Sequence, residues 1–381
     1  MKKINLLSLL CLIFIQCQQT QTSQLNQRWS EERAWEWQQE NGWMVGTNFN
    51  PSTSINQLEF WQEDTYDPET IERELEWSAE LGMNLHRVYL HNLLWDQDSL
   101  GFLKRVENYL EIADSKDIKT LFVLLDDCWH PVPKLGKQPD PLPFIHNSGW
   151  VQAPGSAILG DSLRHQETKN YIKGVISHFA EDKRVVGWDL YNEPGNGAPR
   201  QKGHNEFEIK ENKDIYTLSL LNKSFKWARE VNPSQPITTS VWKGSGVDKD
   251  WSKLDSLSDL SRFTLSNSDV ISFHTYGNIE EMRLRIDQLE KFNRPILCTE
   301  YLARGQGSTF QAMLPLLKEK QISAINWGFV AGKTNTVFPW YSWQEEFDSL
   351  PKIWHHDIYL PDKTPYDQNE IDFLKEILLN K

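Results

Sequence analysis

The stretch 67-DPETIERELEWSAELGMNLHRVYL-90 carries one complete helix and the strand that follows it. Asp67 is a helix cap, its side-chain oxygen placed to accept from the free amides of the first turn. Pro68 stands at the first helical position, where its missing N–H costs nothing. Gly82 marks the other end. Beyond it, "LHRVYL" (85–90) has the short, β-branched and aromatic character of a strand.

The same alternation runs through most of the chain. Candidate strands are "WMVGTNF" (43–49), "LHRVYL" (85–90), "TLFVLL" (120–125), "VVGWDLY" (185–191), "PITTSV" (236–241), "VISFH" (270–274), "PILCTE" (295–300) and "AINWGF" (324–329). Amphipathic segments such as "FLKRVENYLEIADSKD" (102–117) and "HQETKNYIKGVISHFAED" (165–182) lie between them. Alternation of this kind implies parallel strands joined by crossover helices, and eight repeats imply closure into a (β/α)8 TIM barrel, an α/β fold. An open doubly wound sheet is the rival, but no G-x-G-x-x-G turn follows the first strand to hold a dinucleotide. No Pro/Gly/Ser-rich linker splits residues 43–381, and residues 29–381 read as one catalytic domain. The stretch 126–155 is too long and proline-rich for a bare connector and reads as a substrate-facing loop at the C-terminal mouth.

Composition narrows the partners. A net charge of −13 argues against nucleic acid, which needs clustered Lys and Arg. At the amino end, Lys2 and Lys3, an apolar run from Leu6 to Ile15 and then Cys17 form an export signal rather than a membrane span. The cysteine at the end of that run resembles the acylation site of a bacterial lipoprotein. Residues 1–16 would then be a cleaved signal peptide, 17–28 a polar tether, and the membrane would be touched only through a lipid anchor at Cys17. Gln16 departs from the small residue usual before such a cysteine, and ordinary secretion with Cys17 inert is the alternative. Cys128 and Cys298 could pair in an oxidising compartment, but no spacing argues for it, and buried free thiols are the preferred reading. No metal-ligand spacing is present, and His355-His356-Asp357 reads as a polar loop. No metal or cofactor is expected.

In a barrel, chemistry gathers where strands end. Asn192 and Glu193 end the fourth strand and Glu300 the seventh. Arg87 lies in the second, His274 and Tyr276 close the sixth, and Trp327 lies in the eighth. Two carboxylates across one mouth can divide a glycosidic cleavage between them, one giving a proton to the leaving oxygen while the other attacks the sugar carbon. Arg87, placed among buried residues, demands a carboxylate partner whether or not it has a role in catalysis.

These residues resemble glycoside hydrolase family 5 and its relatives. The likeness rests on Asn192-Glu193-Pro194, Glu300, Arg87, His274-x-Tyr276 and Trp327. Further stretches, "WMVGTNFNPSTSINQLEFWQ" (43–62), "HNSGWVQ" (146–152) and "INWGFVAGKTNT" (325–336), resemble exported bacterial proteins described as cellulase-family or 1,4-β-xylanase-like hydrolases. The resemblance implies a retaining hydrolase of a β-linked oligosaccharide or polysaccharide, with Glu193 as acid/base and Glu300 as nucleophile. Asn192 would bind the sugar 2-hydroxyl, Arg87 and Tyr276 would hold the nucleophile, His274 would touch the acid/base or substrate, and Trp327 would floor the pocket. The charge of Glu300 would raise the pKa of Glu193. Members of the family often carry an Asp-x-His-x-x-Trp arrangement after the third strand, whereas this chain has Asp126, Asp127, Trp129 and His130, so sugar contacts there stay open. A non-catalytic glycan-binding lipoprotein and a transglycosylase share these features.

Of the 17 tryptophans, Trp129, Trp150, Trp242, Trp327, Trp340 and Trp343 fall at the mouth and are sugar-stacking candidates. Trp29, Trp35, Trp37 and Trp43 would seal the barrel bottom, and Trp77 and Trp227 are helix core.

Replacing Cys17 with Ser is expected to convert a membrane-bound protein into a soluble or unprocessed one, read by fractionation of expressing cells. Unchanged membrane association would exclude the anchor.

Overall fold

The computed structural model describes residues 27–197 and 211–379. The signal peptide, Cys17 and the tether as far as residue 26 lie outside the described residues. Arg28, assigned to the tether, is docked on the domain: its Nε donates to the Ser268 carbonyl at 2.6 Å.

Helix α1 (Glu31–Asn41) precedes an alternating series: β1 (Val45–Asn48), α2 (Pro68–Glu80), β2 (Leu85–Tyr89), α3 (Asn92–Asp114), β3 (Lys119–Val123), α4 (His165–His178), β4 (Val185–Asp189) and α5 (Lys213–Val231). Strand β5 follows in two halves, Ile237–Thr238 and Ser240–Val241. Then come α6 (Asp259–Asn267), β6 (Ile271–His274), α7 (Ile279–Leu289), β7 (Ile296–Glu300), α8 (Phe310–Glu319), β8 (Ser323–Trp327) and α9 (Gln368–Leu379). All strand pairings are parallel, β1 pairs with both β2 and β8, and the two halves of β5 pair with β4 and β6 respectively. The sheet is therefore a (β/α)8 barrel whose fifth strand is interrupted at Thr239.

The helix ends follow their local chemistry. Asp67 Oδ1 accepts from the Thr70 amide at 3.0 Å, and Gly82 takes the left-handed φ of 87° that ends α2. Helix α3 starts ten residues before the expected 102, because His91 caps it and the helix bends at Asp98, whose φ of −158° breaks the periodic pattern. Helix α6, only nine residues long, had no counterpart among the expected segments. At Gly46 a side chain is impossible: a Cβ would sit 1.5 Å from the Leu85 carbonyl oxygen, so glycine lets β1 pass close to β2.

Most of the core lies between sheet and helices. A second cluster fills the barrel floor, where Leu85, Leu121, Val186, Leu297 and Ile325 meet and Trp29 and Trp37 close it from below. Trp35 does not join them; it is 39% exposed, and Trp43 packs on the outer core instead. Trp77 and Trp227 are buried on their helices as expected.

Two register shifts matter for what lies above that floor. β3 and β4 pair at Thr120–Val185 and next at Leu121–Gly187, leaving Val186 extra on β4. β6 and β7 pair at Phe273–Cys298 and next at His274–Glu300, leaving Thr299 extra on β7. Each extra residue reverses the inward-outward alternation beyond it. Val186 and Leu297 face the floor, and Asp189 and Glu300, which unbroken alternation would turn outward, face inward and meet Arg87.

Candidate active site

Arg87 is completely buried at the centre of the barrel mouth. Its Nε and Nη2 donate to Asp189 Oδ2 at 3.1 and 2.8 Å, Nη2 also to Asn192 Oδ1 at 2.8 Å, and Nη1 to Asn48 Oδ1 at 2.7 Å and Glu300 Oε1 at 2.9 Å. Burial works against the charged guanidinium, but the pull of Tyr89, Asp189 and Glu300 overcomes it and holds the pKa above its ordinary value.

Glu300 is surrounded by donors. Besides Arg87, Tyr89 donates to Oε1 at 2.9 Å and Tyr276 to Oε2 at 2.7 Å. Burial keeps both phenols protonated, with pKa values well above 10. Glu193 faces a different set. Its Oε1 lies 2.9 Å from His274 Nδ1, while Oε2 accepts from the Cys128 thiol at 3.3 Å and from the Asn196 amide. Burial raises the Glu193 pKa, and the Cys128 and Asn196 donors, with Arg87, pull it partly back. Burial, rather than the charge of Glu300, is thus the cause of the upward shift. Burial also lowers His274 to about 3, so its imidazole is neutral.

One carboxylate oxygen from each glutamate and a His274 nitrogen lie within 4.8 Å of one another. This is the one cluster among the described residues whose donor atoms approach closely enough to share a cation, and each side chain in it already has hydrogen-bond partners. Glu193 itself sits at φ 41°, a left-handed backbone that costs a non-glycine residue about 1–3 kcal/mol. The turn is fixed by the Asn192 amide on the Leu125 carbonyl and the Gly195 amide on Asp127 Oδ2, both at 2.7 Å.

The seven residues expected from the sequence, Arg87, Asn192, Glu193, His274, Tyr276, Glu300 and Trp327, all meet at this mouth. Asn192 is held at both ends, by Arg87 and by Asp126, whose Oδ1 accepts its amide at 2.9 Å. Asp126 and Asp127 are therefore scaffold: the first also accepts from Trp150 Nε1 at 2.7 Å, the second from Thr217 at 2.9 Å. A cavity of 290 Å³ opens above the carboxylates, and Trp129, Trp150, Trp242, Trp327 and Trp340 line it. Trp343 does not; its Nε1 donates to the His146 carbonyl at 2.9 Å. His355, His356 and Asp357 form a polar loop as expected, but a buried one, with His355 edge-on behind Trp340 at 4.5 Å. Cys128 and Cys298 are free and buried. Residues not foreseen at the site are Tyr89, Cys128, Asp189, Asn196 and His146. Tyr89 and Asp189 had a signal, the one sharing a strand face with Arg87 and the other an acid inside an apolar run.

A parallel barrel with two buried glutamates at its C-terminal mouth is the arrangement of a glycoside hydrolase. Residues 45–332 match the family model for cellulase (glycosyl hydrolase family 5), and the chain belongs to that family. Among solved structures it is similar to a variant of the GH5_18 protein of Streptomyces cattleya in complex with Manβ1-4GlcNAc, with TM-score 0.54 and 10% identity over 89% of this chain and 80% of that one. It is also similar to GH5_18 of Bifidobacterium longum, with TM-score 0.55 and 13% identity over 89% and 79%. The endo-1,4-β-D-mannanase of Thermotoga petrophila aligns with TM-score 0.51 and 12% identity over 87% and 99%. No curated protein sequence matches the chain.

Arg87→Lys keeps the charge but loses the fork that spans Asp189, Asn192 and Glu300. Hydrolysis of an aryl glycoside is expected to fall on the order of 10²-fold, the scale of a displaced catalytic group, while thermal unfolding remains a single transition. Near-normal turnover would show that the fork does not position Glu300.

Proposed function

We propose that this family 5 enzyme is a retaining hydrolase of a β-linked glycan, with Glu300 as nucleophile and Glu193 as acid/base. The observation that carries the proposal is the closeness of the carboxylates: one oxygen of each glutamate lies within 4.8 Å of the other's, an approach that fits the short carboxyl separation of retaining enzymes, about 5–5.5 Å, better than the about 6.5–9.5 Å of inverting ones. The environments support the division of roles. Glu300, held by Arg87, Tyr89 and Tyr276, is oriented to attack the anomeric carbon. Glu193, raised by burial, retains a proton for the departing glycosidic oxygen.

In the first step a Glu300 oxygen bonds to C1 as the C1–O bond breaks and Glu193 protonates the leaving oxygen. In the second, Glu193 takes a proton from water, which attacks C1 and releases Glu300. Neutral His274 orients the acid/base without carrying charge. Asn192 Nδ2 donates to Asp126 at 2.9 Å and, over a long 3.8 Å, to Cys128 Sγ; this second hydrogen is the one a sugar 2-hydroxyl would take over, and Trp327 offers its face to the ring. On the sequence alone, Cys17 places this activity at the cell envelope. β-Mannosides head the substrate panel, since the Streptomyces structure holds Manβ1-4GlcNAc and the Thermotoga neighbour is a mannanase; β-glucosides and β-xylosides follow.

Glu300→Gln is expected to abolish turnover, and Glu193→Gln to spare the first step on aryl glycosides with good leaving groups while slowing release of the intermediate. Proton NMR of the first product should show the β anomer; inversion would exclude the scheme.

The pH profile gives a separate check. Activity in kcat/KM should fall as pH rises through the raised pKa of Glu193, because the acid loses its proton. The Asn196 amide stabilises the charged carboxylate, so Asn196→Ala should raise that pKa further and move the alkaline limb to higher pH. A limb that stays in place or moves down would mean another group supplies the proton.

A further inference from the structure

Resting on that retaining reading, we propose that the enzyme is exo-acting and removes one glycosyl unit at a time from the non-reducing end. Glu193 must lie beside the leaving oxygen, so the aglycone runs out over β4 and β5, past Asn196 and the half-buried Trp242. The far end of the glycone then points the other way, towards the loops after β3 and β8. A chain that continued beyond the reacting sugar would have to pass there.

It cannot, because those loops are sewn together. The Asn147 amide donates to the Thr334 carbonyl at 2.7 Å, the His146 amide to Ser342 Oγ at 3.0 Å, and His146 Nδ1 to the Phe338 carbonyl at 2.7 Å. The Asn335 amide reaches the Leu142 carbonyl at 3.0 Å, and Phe144 meets Phe338 edge-on at 5.6 Å. His146, Asn147, Phe338 and Ser342 are all buried, so the seam is packed rather than a surface contact. In barrel order β8, β1, β2 and β3 are neighbours, so a seam from β3 to β8 roofs the ends of β1 and β2. The β1 loop adds to it: the Lys333 amide donates to the Ser52 carbonyl at 3.0 Å and Asn56 Nδ2 to the Gly149 carbonyl at 2.8 Å.

The cavity agrees. No residue of the β1 or β2 loops lines it; its wall on that side is the edge-on pair Trp150 and Trp327, with ring centres 5.7 Å apart and Tyr89 behind them. Beyond the pair lies a void of only 20 Å³, room for about one water and not for a sugar. The cavity itself, 290 Å³, is at the lower end of ligand pockets, about 300–1,000 Å³.

The test uses the full chain with 4-nitrophenyl β-mannoside, β-glucoside and β-xyloside, the matching β-1,4-linked hexasaccharides labelled at the reducing end, and the same hexasaccharides capped on the non-reducing sugar by a 4-O-benzyl group. The expected result is hydrolysis of one monoglycoside, a labelled ladder that shortens by single units with free monosaccharide as the first product, and loss of activity on the capped substrate. Mid-chain fragments, a disaccharide as first product, or cleavage of the capped substrate at a comparable rate would overturn exo action while leaving the retaining reading intact. Failure on every substrate would overturn both.

Discussion

A guanidinium sealed from water at the centre of a barrel is the constraint around which the rest of this molecule is arranged. Arg87 receives no solvent, so every donor it carries must find an acceptor in the protein, and its charge must be balanced there. Asp189 and Glu300 supply the charge, and Asn48, Asn192 and Tyr89 share the remaining donors. The five partners come from β1, β2, β4, the turn after β4 and β7. One side chain thereby fixes the distances among the strand ends that carry the chemistry. Removing Arg87 would leave two buried carboxylates without their counter-charge, a cost of about 3–5 kcal/mol.

The same network separates two glutamates that are alike in burial. Glu300 is enclosed by an arginine and two phenols that burial keeps protonated. Glu193 lies one layer further out, against a neutral imidazole, a thiol and an amide, and burial dominates its titration. Identical residues thus stand in different surroundings, one among charged and phenolic donors and the other against neutral groups.

Much of this was legible before any coordinates. The eight strands, the capped helix after Asp67 and the convergence of seven polar and aromatic residues at one mouth all follow from short-range pattern and from the rule that chemistry sits at strand ends. What escaped is instructive. Tyr89 stands two residues from Arg87 and so had to share its face, and Asp189 in an apolar run needed a partner; both were inferable from alternation and charge burial. Cys128, Asn196 and His146 were not, because irregular loops deliver them and no periodicity governs a loop. His355, His356 and Asp357 were legible as a polar loop, but their burial was not, because polar residues in a turn usually face water. Here the loop after β8 folds back over its own apolar cluster and buries them.

The extra residues Val186 and Thr299 set regularity against purpose. A barrel built by a designer to perfect alternation at the same strand lengths would straighten both irregularities, and its strands would pair without interruption. In such a chain Asp189 and Glu300 would turn to the helix layer, Arg87 would face an apolar lumen with no counter-charge, and the mouth would lose one of its two carboxylates. The imperfect ladder is therefore the part of the scaffold that an idealising redesign must leave alone. A homologue can be sorted by the same criterion: β4 or β7 kept at full length but paired without interruption marks a barrel that keeps the shape of this enzyme while its acid points away from the sugar.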